Sequence, residues 1–145
     1  MLLLRPPQLD TRLSIKDDLI ARFFAALEAG YEKNPYHNSV HGADVMYTVN
    51  SFIASSTTMH DELDATDLFA ALVAAAAHDY KHDGFNNAFH VNTGSDLALR
   101  YNDISVLESM HAAELFLMCR DEKKNIFSVL DSGHFKEVRK IITTR

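Results

Sequence analysis

A single cysteine, Cys119, stands in this chain of 145 residues, and tryptophan is absent. One thiol excludes an internal disulfide framework and fits a reducing, cytoplasmic setting. Basic residues are outnumbered, with 14 Lys and Arg against 20 Asp and Glu for a formal charge of −6. That balance argues against an electrostatic grip on a nucleic-acid polymer, which needs a basic face. It leaves room for a small phosphate ester, because a bound dication reverses the local field. Long apolar runs are missing as well. Met1-Leu2-Leu3-Leu4 meets Arg5-Pro6-Pro7 too soon for a signal-peptide core, and the longest run, Leu68 to Ala77, falls short of the ~20 residues of a membrane span. No transmembrane segment is therefore expected. With only three prolines and five glycines, no repeat, low-complexity tract or linker interrupts the chain. What is there, 47% hydrophobic and 23% charged residues, suits one globular domain with a real core.

Helical periodicity recurs along the chain and strand alternation does not, so the fold is expected to be all-α. Ser14 and Asp17 have capping-box spacing, and Leu19, Ile20, Phe23, Phe24 and Leu27 follow at helical intervals up to Gly30. After a break at Asn34-Pro35, the residues Val40, Ala43, Met46, Val49, Phe52 and Ile53 mark a second helix that ends near Ser55 to Thr58. Thr66 is placed to cap a third, whose alanine-rich body from Leu68 to Ala77 lets neighbours approach on several sides and is expected to be central. Short helices are expected around Asn87 to Val91 and after Ser95, and a longer one from Ser105, with a further turn over Asn125 to Leu130. A last stripe of Phe135, Val138, Ile141 and Ile142 runs to Thr143-Thr144-Arg145 without a stop signal, so the chain reads as one that is truncated.

Two histidine clusters carry the chemistry. The first is Tyr36-His37-Asn38-Ser39-Val40-His41, and the second is His78-Asp79-Tyr80-Lys81-His82-Asp83-Gly84-Phe85-Asn86-Asn87. Neutral imidazole and ionised carboxylate are the ligands that divalent metals take, so the pattern points to a metal site. His37 and His41 are four apart, which on a helix puts them on one face, one able to bind metal while the other faces a substrate. His78 and His82 share that spacing. Asp79 could bridge two ions, a pair that would hold a hydroxide and clamp a phosphoryl group. The end of the third helix, with its partially negative carbonyls, also favours a cation near His78. His60, His90 and His134 lack any partner pattern and are expected at the surface or in loops. Glu108 has two open roles, as capping partner of Ser105 or as a group near the metals. Cys119 is expected to be a core thiol.

These residues resemble the catalytic domain of the class I 3′,5′-cyclic nucleotide phosphodiesterases, members of the wider HD-type metal phosphohydrolases. The resemblance runs from Asn34-Pro35-Tyr36-His37-Asn38-Ser39-Val40-His41, through the second cluster, to Asn92 to Glu108. It implies a compact helical bundle of which residues 1–145 are the N-terminal portion. It further implies a cyclic nucleotide substrate, cAMP or cGMP, hydrolysed to the nucleoside 5′-monophosphate with two divalent ions. Those ions are implied to be Zn2+ and Mg2+, with Mn2+ an alternative at the second site. By the same resemblance His37 is the general acid, His41, His78 and Asp79 are metal ligands, and His82 and Glu108 hold metal-bound water. Tyr36 and Asn87 match pocket residues. Gly42, Lys81, Asp83 and Met110 depart from the usual pattern without removing a ligand, and Lys81 is expected to point outward. A further metal-ligating Asp and a purine-clamping Gln, implied by the family, are not in this sequence. Other readings stay open: another HD-type phosphohydrolase, a fragment that binds metal without turnover, or a di-iron bundle. The last needs several Glu-x-x-His pairs, and only Glu108 to His111 fits.

Overall fold

Helix-forming periodicity is realised as eight α-helices among the residues described by the computed structural model, which are 13–144 apart from the side chains of His60 and Asp61. The Met1 to Pro7 segment and the role of His60 lie outside the described residues. In chain order the helices are α1 (Asp17–Gly30), α2 (Ser39–Ser55), α3 (Thr57–Glu62), α4 (Ala65–Ala77), α5 (Asn87–Thr93), α6 (Asp96–Arg100), α7 (Val106–Met118) and α8 (Ser132–Thr143), with a 3-10 turn at Ile126–Val129 before α8. None of the described residues lies in a strand. No helix among them is long and apolar enough to cross a membrane.

The alanine-rich α4 is central, as its composition requires. Leu68, Phe69, Ala70, Leu72, Val73, Ala75, Ala76 and Ala77 are all buried, and α2 and α8 pack against it more extensively than any other pair of elements packs. Small side chains permit that close approach, while Phe69 fills the space beyond, edge-on to Phe127 at 5.9 Å. Phe116 and Phe135 close the same aromatic cluster on Phe127, joining α7 and α8 to the 3-10 turn. Ala75, Ala76 and Ala77 keep the last turn of α4 buried as well, which matters because His78 follows Ala77 directly.

Several helix starts differ from the sequence expectation, each for a local reason. Ser14 does not cap α1. It takes a left-handed backbone, φ 53°, and Lys16 occupies the cap position without a side-chain bond. Burial of Ile15 and Ile20 at the two positions of a hydrophobic staple fixes the entry angle instead. Thr66 lies inside α4 and is buried. The cap is Asp64, whose carboxylate accepts from the amides of Thr66 at 2.7 Å and Asp67 at 2.8 Å, with Asp67 returning the bond as a capping box. α8 begins at Ser132, three residues before the apolar stripe, because Asp131 accepts from the Gly133 and His134 amides. Ser95 does cap α6, accepting from Ala98.

Candidate metal centre

The start of α2 and the end of α4 bring the two clusters together. Nε2 of His78 lies 3.2 Å from Nε2 of His41 and 3.2 Å from Oδ2 of Asp79, and His41 Nε2 is 3.5 Å from the same carboxylate oxygen. Nδ1 of His78 donates to the Ala75 carbonyl at 2.9 Å, so in the neutral ring the Nε2 lone pair faces a carboxylate. Two ring nitrogens and an anionic oxygen converging in this way need a proton or a cation between them. With a proton alone in that place, burial is the largest influence and pulls the His78 pKa down, but the hydrogen bonds to Asp79 and to the Ala75 carbonyl and the Asp79 charge together outweigh it, and the net direction is up. Burial opposes ionisation of Asp79, yet its bond to His78 and the nearby His78, His111 and His37 rings hold its carboxyl below the ordinary range. The donor chemistry, two imidazoles and a carboxylate, fits a borderline divalent ion.

His37 is not on the helix face the spacing suggested. Asn38 adopts an extended backbone and caps α2, its side chain accepting from Val40 and His41, so His37 lies one residue before the cap, outside the helix. From there its ring stacks flat on His82, with centroids 3.9 Å apart and planes 3° from parallel. His82 is not one helical turn beyond His78 either. The helix stops at Ala77, and a tight turn with Lys81 at φ 61° swings His82 beneath His37. Nδ1 of the buried His82 accepts from the Gly84 amide at 2.9 Å. Burial first, and then the His37 charge, lower its pKa.

Other partners come from farther along the chain. His111 on α7, whose only sequence signal is its spacing from Glu108, is buried behind Asp79 with its Nε2 3.9 Å from Oδ1. Its Nδ1 donates to the Tyr80 carbonyl at 2.7 Å, and burial lowers its pKa. Asp79, His82 and His111 thus form a second group with ligand atoms within 4.8 Å of one another. Asn34, read from sequence only as a break, donates to the His82 carbonyl at 2.6 Å and the His37 carbonyl at 3.3 Å, tying the clusters together.

Glu108 does not form a capping box with Ser105, which has a left-handed backbone and no side-chain cap bond. Asn87 takes over: its carbonyl oxygen accepts from the Leu107 amide at 2.9 Å and its amide donates to both Glu108 oxygens, at 3.3 and 3.0 Å. Tyr36 is 63% exposed and its ring leans on His41 at 4.5 Å. Lys81 turns outward to Glu114 at 2.7 Å, away from the centre. His90 contradicts its surface assignment. It is buried in α5, held by Ser95 at 2.9 Å and Asp83 at 3.4 Å, because α5 folds back over the Asp83–Gly84 loop. His134 is at the surface against Asp131, and Cys119 is buried. A cavity of about 360 Å³ opens beside the centre, lined by α4, α7 and α8 and including His78, Glu108, His111 and Arg139.

Fold and site define an all-α protein with a histidine–aspartate centre of divalent-metal type. The 3'5'-cyclic nucleotide phosphodiesterase family matches residues 36–144. Over 142 residues the chain is 42% identical to the dual specificity calcium/calmodulin-dependent 3',5'-cyclic nucleotide phosphodiesterase 1B of Mus musculus, covering 97% of this chain and 26% of that protein. It is 39% identical over 132 residues to the 3',5'-cyclic-AMP phosphodiesterase 4 of Dictyostelium discoideum, covering 90% of this chain and 12% of that one. Its fold superposes on the crystal structure of the phosphodiesterase domain of Salpingoeca rosetta rhodopsin phosphodiesterase with a TM-score of 0.88 at 34% identity, covering 93% of this chain and 40% of that one. The chain therefore belongs to the 3′,5′-cyclic nucleotide phosphodiesterase family. It spans about a quarter of the length of the mammalian relatives it matches, 26%.

Proposed function

We propose that residues 1–145 are the N-terminal portion of a single catalytic domain that hydrolyses 3′,5′-cyclic nucleotides, cAMP or cGMP, to nucleoside 5′-monophosphates in cytoplasmic signal transduction. The observation that carries this reading is the convergence of His41, His78 and Asp79. Atoms 2.0–2.1 Å from a tetrahedral zinc ion stand roughly 3.3–3.4 Å from one another. The three separations in the structure, 3.2, 3.2 and 3.5 Å, bracket that value. These residues would hold Zn2+, and Asp79, which faces His111 with its other oxygen, would reach a second ion, Mg2+ or Mn2+. When bound, the two cations supply a more acidic water and neutralise charge on the phosphoryl oxygens.

The chain's own residues do the rest. His37 belongs to neither ligand group and is free to work on protons. As an imidazolium it donates to the 3′ oxygen while the P–O3′ bond breaks and the electron pair leaves with that oxygen. His82, stacked beneath it, keeps the ring in place, and with Glu108 it orients the attacking water. Asn87 spends its amide on Glu108 and Leu107, so it serves the pocket by fixing Glu108. Tyr36 shields His41 and offers an exposed ring to the substrate. The cavity beside the centre falls within the roughly 300–1,000 Å³ of small-molecule sites.

Metal content and turnover measured on one sample test the proposal. Bound zinc with release of the 5′-monophosphate is the expected result. A 3′-monophosphate product, or hydrolysis unaffected by chelation, overturns it. Bound metal with no hydrolysis would leave the chain a metal-binding role alone.

A further inference from the structure

We propose that Tyr31 and Gly42 form a positioning device for the metal centre, in which the buried Tyr31 hydroxyl, admitted by the missing side chain of Gly42, sets the geometry of Asp79. The inference rests on the metal-site reading above. Tyr31 follows the last residue of α1 and is buried between α2 and α4. Its hydroxyl donates to the Ala76 carbonyl at 2.8 Å, in the last turn of α4 and three residues before Asp79. One hydroxyl thus holds the final turn of the helix from which the chain runs directly into His78 and Asp79.

This contact depends on Gly42. A Cβ placed there would stand 2.6 Å from the Tyr31 hydroxyl oxygen, 2.9 Å from its ring carbon and 3.1 Å from the Ala76 carbonyl oxygen. Contacts below 3.0 Å force a displacement. The ring sits in a packed core edge-on to Tyr80 at 5.8 Å, so the hydroxyl cannot withdraw without moving its neighbours. Gly42 is also one residue after His41. The same close approach therefore fixes the distance between the helix that carries His41 and the one that delivers His78 and Asp79. A second tyrosine repeats the arrangement on the other side of the turn. Tyr80 lies against Gly30, with no room for a Cβ there, and its carbonyl holds His111.

Groups that orient ligands from behind typically change metal affinity 10–100-fold when removed. The test is zinc titration calorimetry on the full chain, with the visible spectrum of the Co2+ form and the melting temperature of the metal-free form measured alongside. Tyr31→Phe keeps the ring and removes only the hydroxyl. It should lower zinc affinity by about ten-fold or more and alter the Co2+ bands. Gly42→Ala, which displaces the hydroxyl, should do the same, and the double variant should lose much less than the product of the two single losses. Tyr47→Phe, an exposed tyrosine on the same helix, should change nothing. If Tyr31→Phe binds zinc like the parent and gives the parent Co2+ spectrum while its metal-free form merely melts lower, the hydroxyl is structural and the proposal fails. Asp79→Asn separates the two levels: if it also leaves zinc binding unchanged, the metal-site reading has failed, and if it alone loses zinc, only the positioning role has.

Discussion

At the residue scale the centre divides into groups that converge on one point and a group that stands apart. His41, His78 and Asp79 converge, whereas His37 is held beside them by stacking on His82 at 3.9 Å. That separation predicts different failures. In a complete catalytic domain containing this chain, His37→Asn should leave zinc content near that of the parent and slow hydrolysis by about 10²–10⁴-fold, the usual worth of a general acid. A substrate with a far better leaving group should recover most of the loss, because its departing oxygen needs little protonation. Asp79→Asn should lose metal and rate together, with no such rescue, and His134→Ala, on the far surface, should lose neither. Should His37→Asn strip the metal, His37 belongs with the ligands. The residues that sequence did not mark are those whose partners arrive from a distance. His111 meets Asp79 across 32 positions of chain, and Asn34 meets His82 across 48, so no local spacing could announce either contact.

At the element scale the periodic positions read directly as helices, because a 3.6-residue repeat of apolar side chains has one way to bury them. Ends were less legible. A cap is set by whichever residue takes an extended backbone, and for α4 both Asp64 and Thr66 have suitable oxygens. The turn at 78–82 is a sharper case, since a four-residue histidine spacing reads as one helical turn until the positive φ of Lys81 breaks it. Similarly, Asn87 supplies the bond to Leu107 that a cap at Ser105 would have made. The capping box at Asp64 leads to a prediction, because α4 carries the centre on its far end. Asp64→Ala should destabilise the fold by roughly 1 kcal/mol, within the usual 0.5–2 for a lost cap, as read by urea denaturation. Ser14→Gly, at a left-handed position without a cap bond, should not destabilise it. Equal losses in the two would mean that the start of α4 is anchored by packing instead.

At the scale of the whole molecule, burial and the metal centre act on stability through different linkages. Burial of Cys119 pushes its thiol pKa from 9.0 up to about 12. Between those values the folded chain keeps a proton that the unfolded chain has lost, so this contribution is full below pH 9 and fades as pH rises toward 12. Native protein should accordingly react slowly with a thiol reagent at pH 8 and rapidly once unfolded. The centre works in the opposite sense, since the fold gathers two ring nitrogens and a carboxylate where they repel without a charge between them. An ion that binds only this gathered state adds RT ln(1 + [L]/Kd), about 2.7 kcal/mol at a hundred-fold excess over Kd. For a chain of this length that corresponds to a rise in melting temperature on the order of 10 °C. Adding zinc to chelator-treated protein should give such a rise in thermal melts followed by circular dichroism, and Asp79→Asn should abolish it. A rise of the same size in Asp79→Asn would place the ion elsewhere on the molecule, and the convergence of His41, His78 and Asp79 would then have to be explained by a proton alone.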